Sequence, residues 1–243
     1  MADRKPWVLA SNNAKKMREL SQILQTFSIE LVTPRDAAIA LDVDEWGTTF
    51  AQNATLKALA FARAYGGVAI ADDSGLSVDG LGGAPGVYSA RYSGENATDE
   101  ANNAKLVAEL ASRPDASRRC RYYAVIAVAR PVSAESLVLP EVTPVNPLAS
   151  KDAFLALEPF GAYRLPAAFS ASLGGPAEDT ELWLFEGTME GEIALEPRGE
   201  GGFGYDPYVR LEDGRHVAEL PDEEKNGRSH RAMALQAMYI AMV

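Results

Sequence analysis

A single cysteine, Cys120, among 243 residues excludes an internal disulfide and any metal site built from cysteine, and it suits a reducing compartment. Its thiol is expected in the core. Histidine is almost as scarce, since His216 and His230 are too few and too separated for a histidine-built metal site. Positive charge is short as well: 23 basic residues face 34 acidic ones for a net charge of -11, which argues against a nucleic-acid backbone as the main partner. A small anion in a locally basic cleft is still compatible with that balance. No run approaches the roughly 18 apolar residues of a membrane span, and the N-terminal MADRKPWVLASNNAKK lacks the apolar segment of a signal peptide. There is no constant repeat period and no heptad pattern, which removes solenoids and coiled coils. A soluble, cytoplasmic protein with no membrane and no nucleic-acid partner is expected.

What is present is an ordinary globular mixture, 47% hydrophobic and 23% charged, long enough to bury a substantial core in one domain or two closely packed lobes. Trp7 to Ala10 reads as a buried strand, followed by a polar turn and a helix with Leu20, Ile23, Leu24 and Phe27 at helical spacing. Strand, turn and helix in that order make an α/β unit. Further strands are expected at Ile29 to Val32, Val68 to Ala71, Tyr122 to Ala129 and Leu182 to Met189, and helices at Phe50 to Tyr65, Asp99 to Leu110 and Ser229 to Met242. The stretch from Pro131 to about Thr180 has a different texture, rich in proline and glycine at its ends. It is expected to be a partly ordered or disordered insertion, remote from the marked residues and removable without loss of activity.

Four places carry chemistry. Ser11, Asn12, Asn13 and Ala14 lead into Lys15 and Lys16 at a helix start, where free N–H groups and the helix dipole favour an anion. An ordinary N-cap with solvated lysines needs the same residues. Asp72 and Asp73 are expected to leave their strand at its C-terminal end, where one carboxylate can bind Mg²⁺, although a turn with a cap uses such residues too. In GGFGYDP, Phe203, Gly204, Tyr205 and Asp206 combine rings that can stack a base with a carboxylate that can read its N–H edge, and packing is the competing use. In EEKNGRSHR, Lys225, His230 and Arg231 surround a helix start with Ser229 as N-cap.

LASNNAKKMREL, FAQNATLKA, ADDSGLSVDGLGGAPGVYSARYSG, GGFGYDP and EEKNGRSHRAMAL follow one another as in the inosine triphosphate pyrophosphatases, enzymes for unusual purine nucleoside triphosphates. The resemblance spans nearly the whole chain except about 131–180. It implies an α/β fold with a long, mixed, twisted sheet flanked by helices, two lobes with a cleft between them, a single 1–243 domain carrying that insertion, and a homodimer. The implied reaction is hydrolysis of ITP, dITP and XTP to the monophosphate and pyrophosphate with Mg²⁺ as cofactor. By the same resemblance, Ser11 to Lys16 and Lys225 hold the triphosphate, and Asp73 is the magnesium-linked general base with Ser74 beside the substrate. Phe203 to Asp206, His230 and Arg231 form the base pocket.

Two departures stand out. Gln52 occupies a position where the family usually has a metal-holding glutamate, and an amide is a weaker ligand for a hard cation. Asp44, Glu45 or Asp72 could then supply the missing charge. The insertion adds roughly forty residues to a connection that is ordinarily short. A catalytically weak nucleotide-binding protein and a phosphohydrolase for another modified nucleotide are the alternative readings.

Overall fold

The structure, a computed structural model, describes residues 5–27, 29–134, 143–144 and 146–242. Strand β1 (Trp7–Leu9) is wholly buried and feeds helix α1 (Ala14–Gln25), which turns Leu20, Ile23 and Leu24 inward at helical spacing. Phe27 lies beyond the helix end and stacks on Tyr239 with ring centroids 4.5 Å apart. After β2 (Leu31–Val32) comes α2 (Phe50–Tyr65), with Thr49 as N-cap and Gly66 at φ +61° closing it in the left-handed conformation that glycine adopts without strain.

Strand β3 (Ala69–Val78) is longer than the expected Val68 to Ala71 and runs straight through both aspartates, so Asp72 and Asp73 sit within a strand and not at its end. The cause is that burial continues beyond the acids, with Leu76 and Val78 both inaccessible. Helix α3 (Asp99–Ala111) is capped by Thr98 and precedes β4 (Arg119–Pro131). The remaining elements are β5 (Asn146–Pro147), α4 (Lys151–Leu155), β6 (Gly161–Leu165), α5 (Ala167–Ser172), β7 (Thr180–Ile193), β8 (Val209–Arg210), α6 (Asp222–Arg228) and α7 (His230–Ile240). Ser229 does cap the last of these, its hydroxyl accepting from the Ala232 N–H at 3.2 Å.

One mixed sheet has the order β2-β1-β3-β4-β7-β6-β5, with β8 paired to β7. β1 is parallel to β2 and β3, whereas β6 and β8 run antiparallel to β7. The chain divides into two compact units, 1–73 with 125–186 and 234–243, and 74–124 with 187–233. Among the described residues no helix is long and apolar enough to cross a membrane.

The stretch expected to be an excursion is largely built into the first unit. β6 pairs with β7 over five residues, and Leu148, Phe154 and Leu165 are fully buried. Glu181 on β7 accepts from Arg130 on β4 at 2.9 Å and from Arg164 on β6 at 3.2 Å, tying three neighbouring strands together. Residues 135–142 and 145 of that stretch lie outside the described ones. Proline and glycine at its ends mark turns, and the apolar residues between them supply core.

Replacing residues 146–178 with a tight link is therefore expected to be costly and not silent. Each large buried side chain lost is worth about 2–5 kcal/mol, so a fall in Tm on the order of 10 °C or more is expected by calorimetry. Cys120 is 1% exposed, and burial together with Glu190, Asp79 and Glu192 pushes its thiol up to about 12. The native chain should resist iodoacetamide at pH 8 and react once denatured.

Candidate active site

In the first unit the turn after β1 is organised by its own side chains. Asn13 Oδ1 accepts from the N–H groups of Lys15 at 3.0 Å and Lys16 at 3.1 Å, Ser11 Oγ accepts from the Asn13 N–H at 3.2 Å, and Asn12 Nδ2 donates to the Leu41 carbonyl at 3.0 Å. Two of the amides that could face an anion are thus already satisfied by the cap. Asn12, Asn13, Ala14 and Lys15 are exposed, whereas Lys16 reaches Asp72 at 2.9 Å, whose side chain is completely buried.

Asp73 is joined to α2 by a residue that the motifs did not single out. Lys57 Nζ lies 2.8 Å from Asp73 Oδ1 and 3.0 Å from Glu45 Oε2, so one ammonium holds two carboxylates. Burial alone would lower the Lys57 pKa, but Asp73 and Glu45 outweigh it and the net shift is upward. Burial raises the Asp73 pKa, opposed by Lys57 and Lys16 and reinforced by Glu45, and the carboxyl ends above its ordinary value. Its second oxygen, Oδ2, is buried and accepts no hydrogen bond from the described residues. Such an atom is costly unless water, a cation or a substrate proton meets it. The sequence signal for Lys57 was a charged residue within an otherwise apolar and amide-bearing stretch of α2, FAQNATLKALAF.

Gln52, which the sequence sets at a family metal-ligand position, is hydrogen-bonded through both its oxygen and its nitrogen. Its amide oxygen accepts from the N–H groups of Thr48 at 2.7 Å and Thr49 at 3.3 Å and from the Thr48 hydroxyl at 3.1 Å. Its NH₂ donates to the carbonyls of Phe154 at 3.3 Å and Leu155 at 3.0 Å. The residue is wholly buried as the partner of Thr49 in a capping box.

In the second unit Asp206 is the hub. Its Oδ1 accepts from the Tyr122 hydroxyl at 2.8 Å, and its Oδ2 accepts from Lys225 Nζ at 2.7 Å and the Phe203 N–H at 2.9 Å. Lys225 also lies 4.8 Å from the Phe203 ring centre and Arg231 5.4 Å from it. Lys225, expected among the triphosphate holders, therefore stands with the Phe203 and Asp206 group. Arg231 donates to the Ser74 hydroxyl at 2.7 Å, and the His230 ring stacks on Tyr122 at 4.9 Å.

The two rings of GGFGYDP divide their roles. Tyr205 is 5% exposed, packs in the core and donates to the Ser89 carbonyl at 2.8 Å. Phe203 is half-buried and faces the two cations. Gly204 between them is clamped, its N–H donating to Asp99 at 3.0 Å and its carbonyl accepting from Asn103 at 2.9 Å. Gly202 has φ +73°, and a Cβ there would lie 2.1 Å from Asp206 Oδ2, which only glycine avoids. Tyr122 was absent from the sequence-derived site because tyrosine within a long apolar strand reads as core.

A sequence profile of the Ham1 family matches residues 7–143 and 155–241. The chain belongs to the Ham1 family. It is 38% identical over 236 residues to the dITP/XTP pyrophosphatase of Shigella flexneri, covering 97% of this chain and 96% of that one. To the dITP/XTP pyrophosphatase of Geobacillus kaustophilus it is 41% identical over 229 residues, covering 94% and 89%. Among solved structures, the HAM1 protein of Coxiella burnetii superposes with a TM-score of 0.71 at 33% identity, covering 97% and 96%. A dITP/XTP pyrophosphatase from Mycobacterium abscessus gives 0.62 at 34%, covering 96% and 98%. The break in the Ham1 match, 144–154, falls inside the stretch that the sequence set apart.

The buried Asp206 hub makes a stability prediction for this Ham1 protein. Asp206→Asn leaves the Lys225 ammonium buried beside a neutral amide and should cost about 3–5 kcal/mol in urea unfolding. Lys225→Met in the same chain should return part of that loss, which a double-mutant cycle measures.

Proposed function

We propose that this chain hydrolyses dITP, XTP and ITP to the nucleoside monophosphate and pyrophosphate. The observation that carries the reading is Asp73, a buried carboxylate with one oxygen on Lys57 and the other without a donor among the described residues. Asp73 Oδ2 can take the proton of a water attacking the α-phosphorus, and the Lys57 cation keeps the carboxylate available as a base. The dITP/XTP activity named for the relatives in Shigella flexneri and Geobacillus kaustophilus supports the same reaction.

Mg²⁺ belongs to this reading. A magnesium ion with a triphosphate substrate needs one or two protein carboxylates, and Asp73 and Glu45 on a shared lysine offer that number, with Gln52 contributing none. When bound, the metal supplies charge neutralisation for the phosphate oxygens. The exposed turn of Asn12, Asn13, Ala14 and Lys15 is assigned to the phosphates, together with Ser11 and Lys16. Phe203, Lys225, His230 and Arg231 are assigned to the base. Cationic donors favour a 6-keto oxygen, whereas the amino group of adenine would leave them unpaired. Guanine also carries a 6-keto oxygen, so its rejection depends on the 2-position. A cytoplasmic homodimer completes the proposal, on the family resemblance, and light scattering at working concentration checks the dimer.

The test is pyrophosphate release from dITP, XTP, ITP, dGTP, dATP and dUTP with the purified chain and Mg²⁺. The first three should give the largest kcat/KM, and a preference for dUTP would replace the reading by that of a pyrimidine phosphohydrolase. Arg231→Met should cost ITP more than ATP by about 1–3 kcal/mol. An equal loss for both would make Arg231 a phosphate-binding or structural residue.

A further inference from the structure

Helix α4 lies almost entirely within 144–154, the break between the two stretches matched by the Ham1 profile, yet its contacts run to the segment that carries Glu45. Phe154 is wholly buried, and its ring packs 5.2 Å from that of Trp46, the residue next to Glu45. The carbonyls of Phe154 and Leu155 take both amide hydrogens' worth of donation from Gln52, while the oxygen of the same amide pins Thr48 and Thr49. Glu45 is therefore followed at once by residues fixed to α4, directly through Trp46 and indirectly through Gln52. The crowding is tight, since a Cβ on Gly47 would lie 2.7 Å from Gln52 Cβ and 2.5 Å from Asn53 Oδ1.

The chemistry of position 52 fits this arrangement. A glutamate could still accept from Thr48 and Thr49 and complete the cap. It could not donate to Phe154 and Leu155, and its charge would face two carbonyl oxygens in a dry setting. An amide, with an acceptor at one oxygen and two donors at one nitrogen, satisfies both sides. Glutamine here is matched to α4.

We infer that α4 braces the segment 45–49, with Gln52 as a positioning residue that holds the Glu45 carboxylate against Lys57 and thereby sets the charge around Asp73. This rests on the assignment of Asp73, Lys57 and Glu45 to the reaction. A displacement of about 1 Å in a catalytic group can lower a rate by about a hundredfold, so a brace remote from the substrate is enough to affect turnover.

The experiment cuts the connection from each side in the full chain and reads the other side by amide hydrogen exchange. Gln52→Met, made on α2, should raise exchange at 152–156; Phe154→Ala, made on α4, should raise it at 46–49, each by about tenfold. Phe154→Leu serves if the alanine variant does not fold. Both variants should lower kcat/KM for dITP by about tenfold, with half-activation moved to higher Mg²⁺. Gln52→Glu separates the brace from a ligand: the brace predicts half-activation at higher Mg²⁺, a ligand at lower. Exchange that stays on the mutated side, kcat/KM within about twofold of native, or a lower Mg²⁺ requirement in Gln52→Glu each overturns the inference. Absence of dITP hydrolysis by the native chain would instead defeat the assignment of the reaction, and the exchange data would still decide whether α4 and 45–49 are coupled.

Discussion

One buried ammonium has to satisfy two carboxylates. Lys57 lies within salt-bridge distance of both Asp73 and Glu45, in surroundings where an uncompensated charge is costly. Lys57 favours the ionised form of Asp73 and so opposes the burial that raises its pKa. The segments that matter in the first unit are arranged around this requirement. α2 delivers Lys57, β3 delivers Asp73, and the stretch before Thr49 delivers Glu45. Asp72 repeats the solution beside it with Lys16, so adjacent acids on one strand each meet a separate lysine.

The second unit solves the opposite problem, one carboxylate among several donors. Asp206 accepts from a tyrosine hydroxyl, an ammonium and a backbone N–H, which uses its lone pairs in directions that fix Phe203, Tyr122 and Lys225 together. A buried network in which both carboxylate oxygens have donors holds its members rigidly. The Tyr122 hydroxyl stays protonated, because burial and the neighbouring Asp206 both hold its pKa far up.

The fold was legible in the sequence wherever periodicity was strong. The boundaries of α2 agree with the sequence reading to the residue, and Thr49 and Gly66 close the helix at its two ends. β3 was underestimated because two acids in a row resemble the end of a strand, whereas lysines from other elements meet them inside one. Within the stretch 131–180, expected as a partly ordered or disordered insertion, the regular structure was less legible for a related reason: its strands and helices are short, its turns are conspicuous, and its buried residues Leu148, Phe154 and Leu165 are too widely spaced to show a period. The motif residues were visible in the sequence, but their partners were not. Lys57 and Tyr122 are ordinary residues of a helix and a strand until the fold brings them to Asp73 and Asp206, and Gln52 looked like a damaged ligand until the carbonyls of α4 gave its NH₂ a purpose.

The proposed reaction depends most directly on Asp73. The direct measurement is kcat for pyrophosphate release from dITP by the native chain and by Asp73→Asn, an isosteric change, with both shown to be folded by circular dichroism. A fall on the order of a hundredfold or more with KM little changed is the predicted result, since the asparagine can neither accept the proton of water nor answer the Lys57 charge. Turnover near the native level would contradict it and move the base elsewhere.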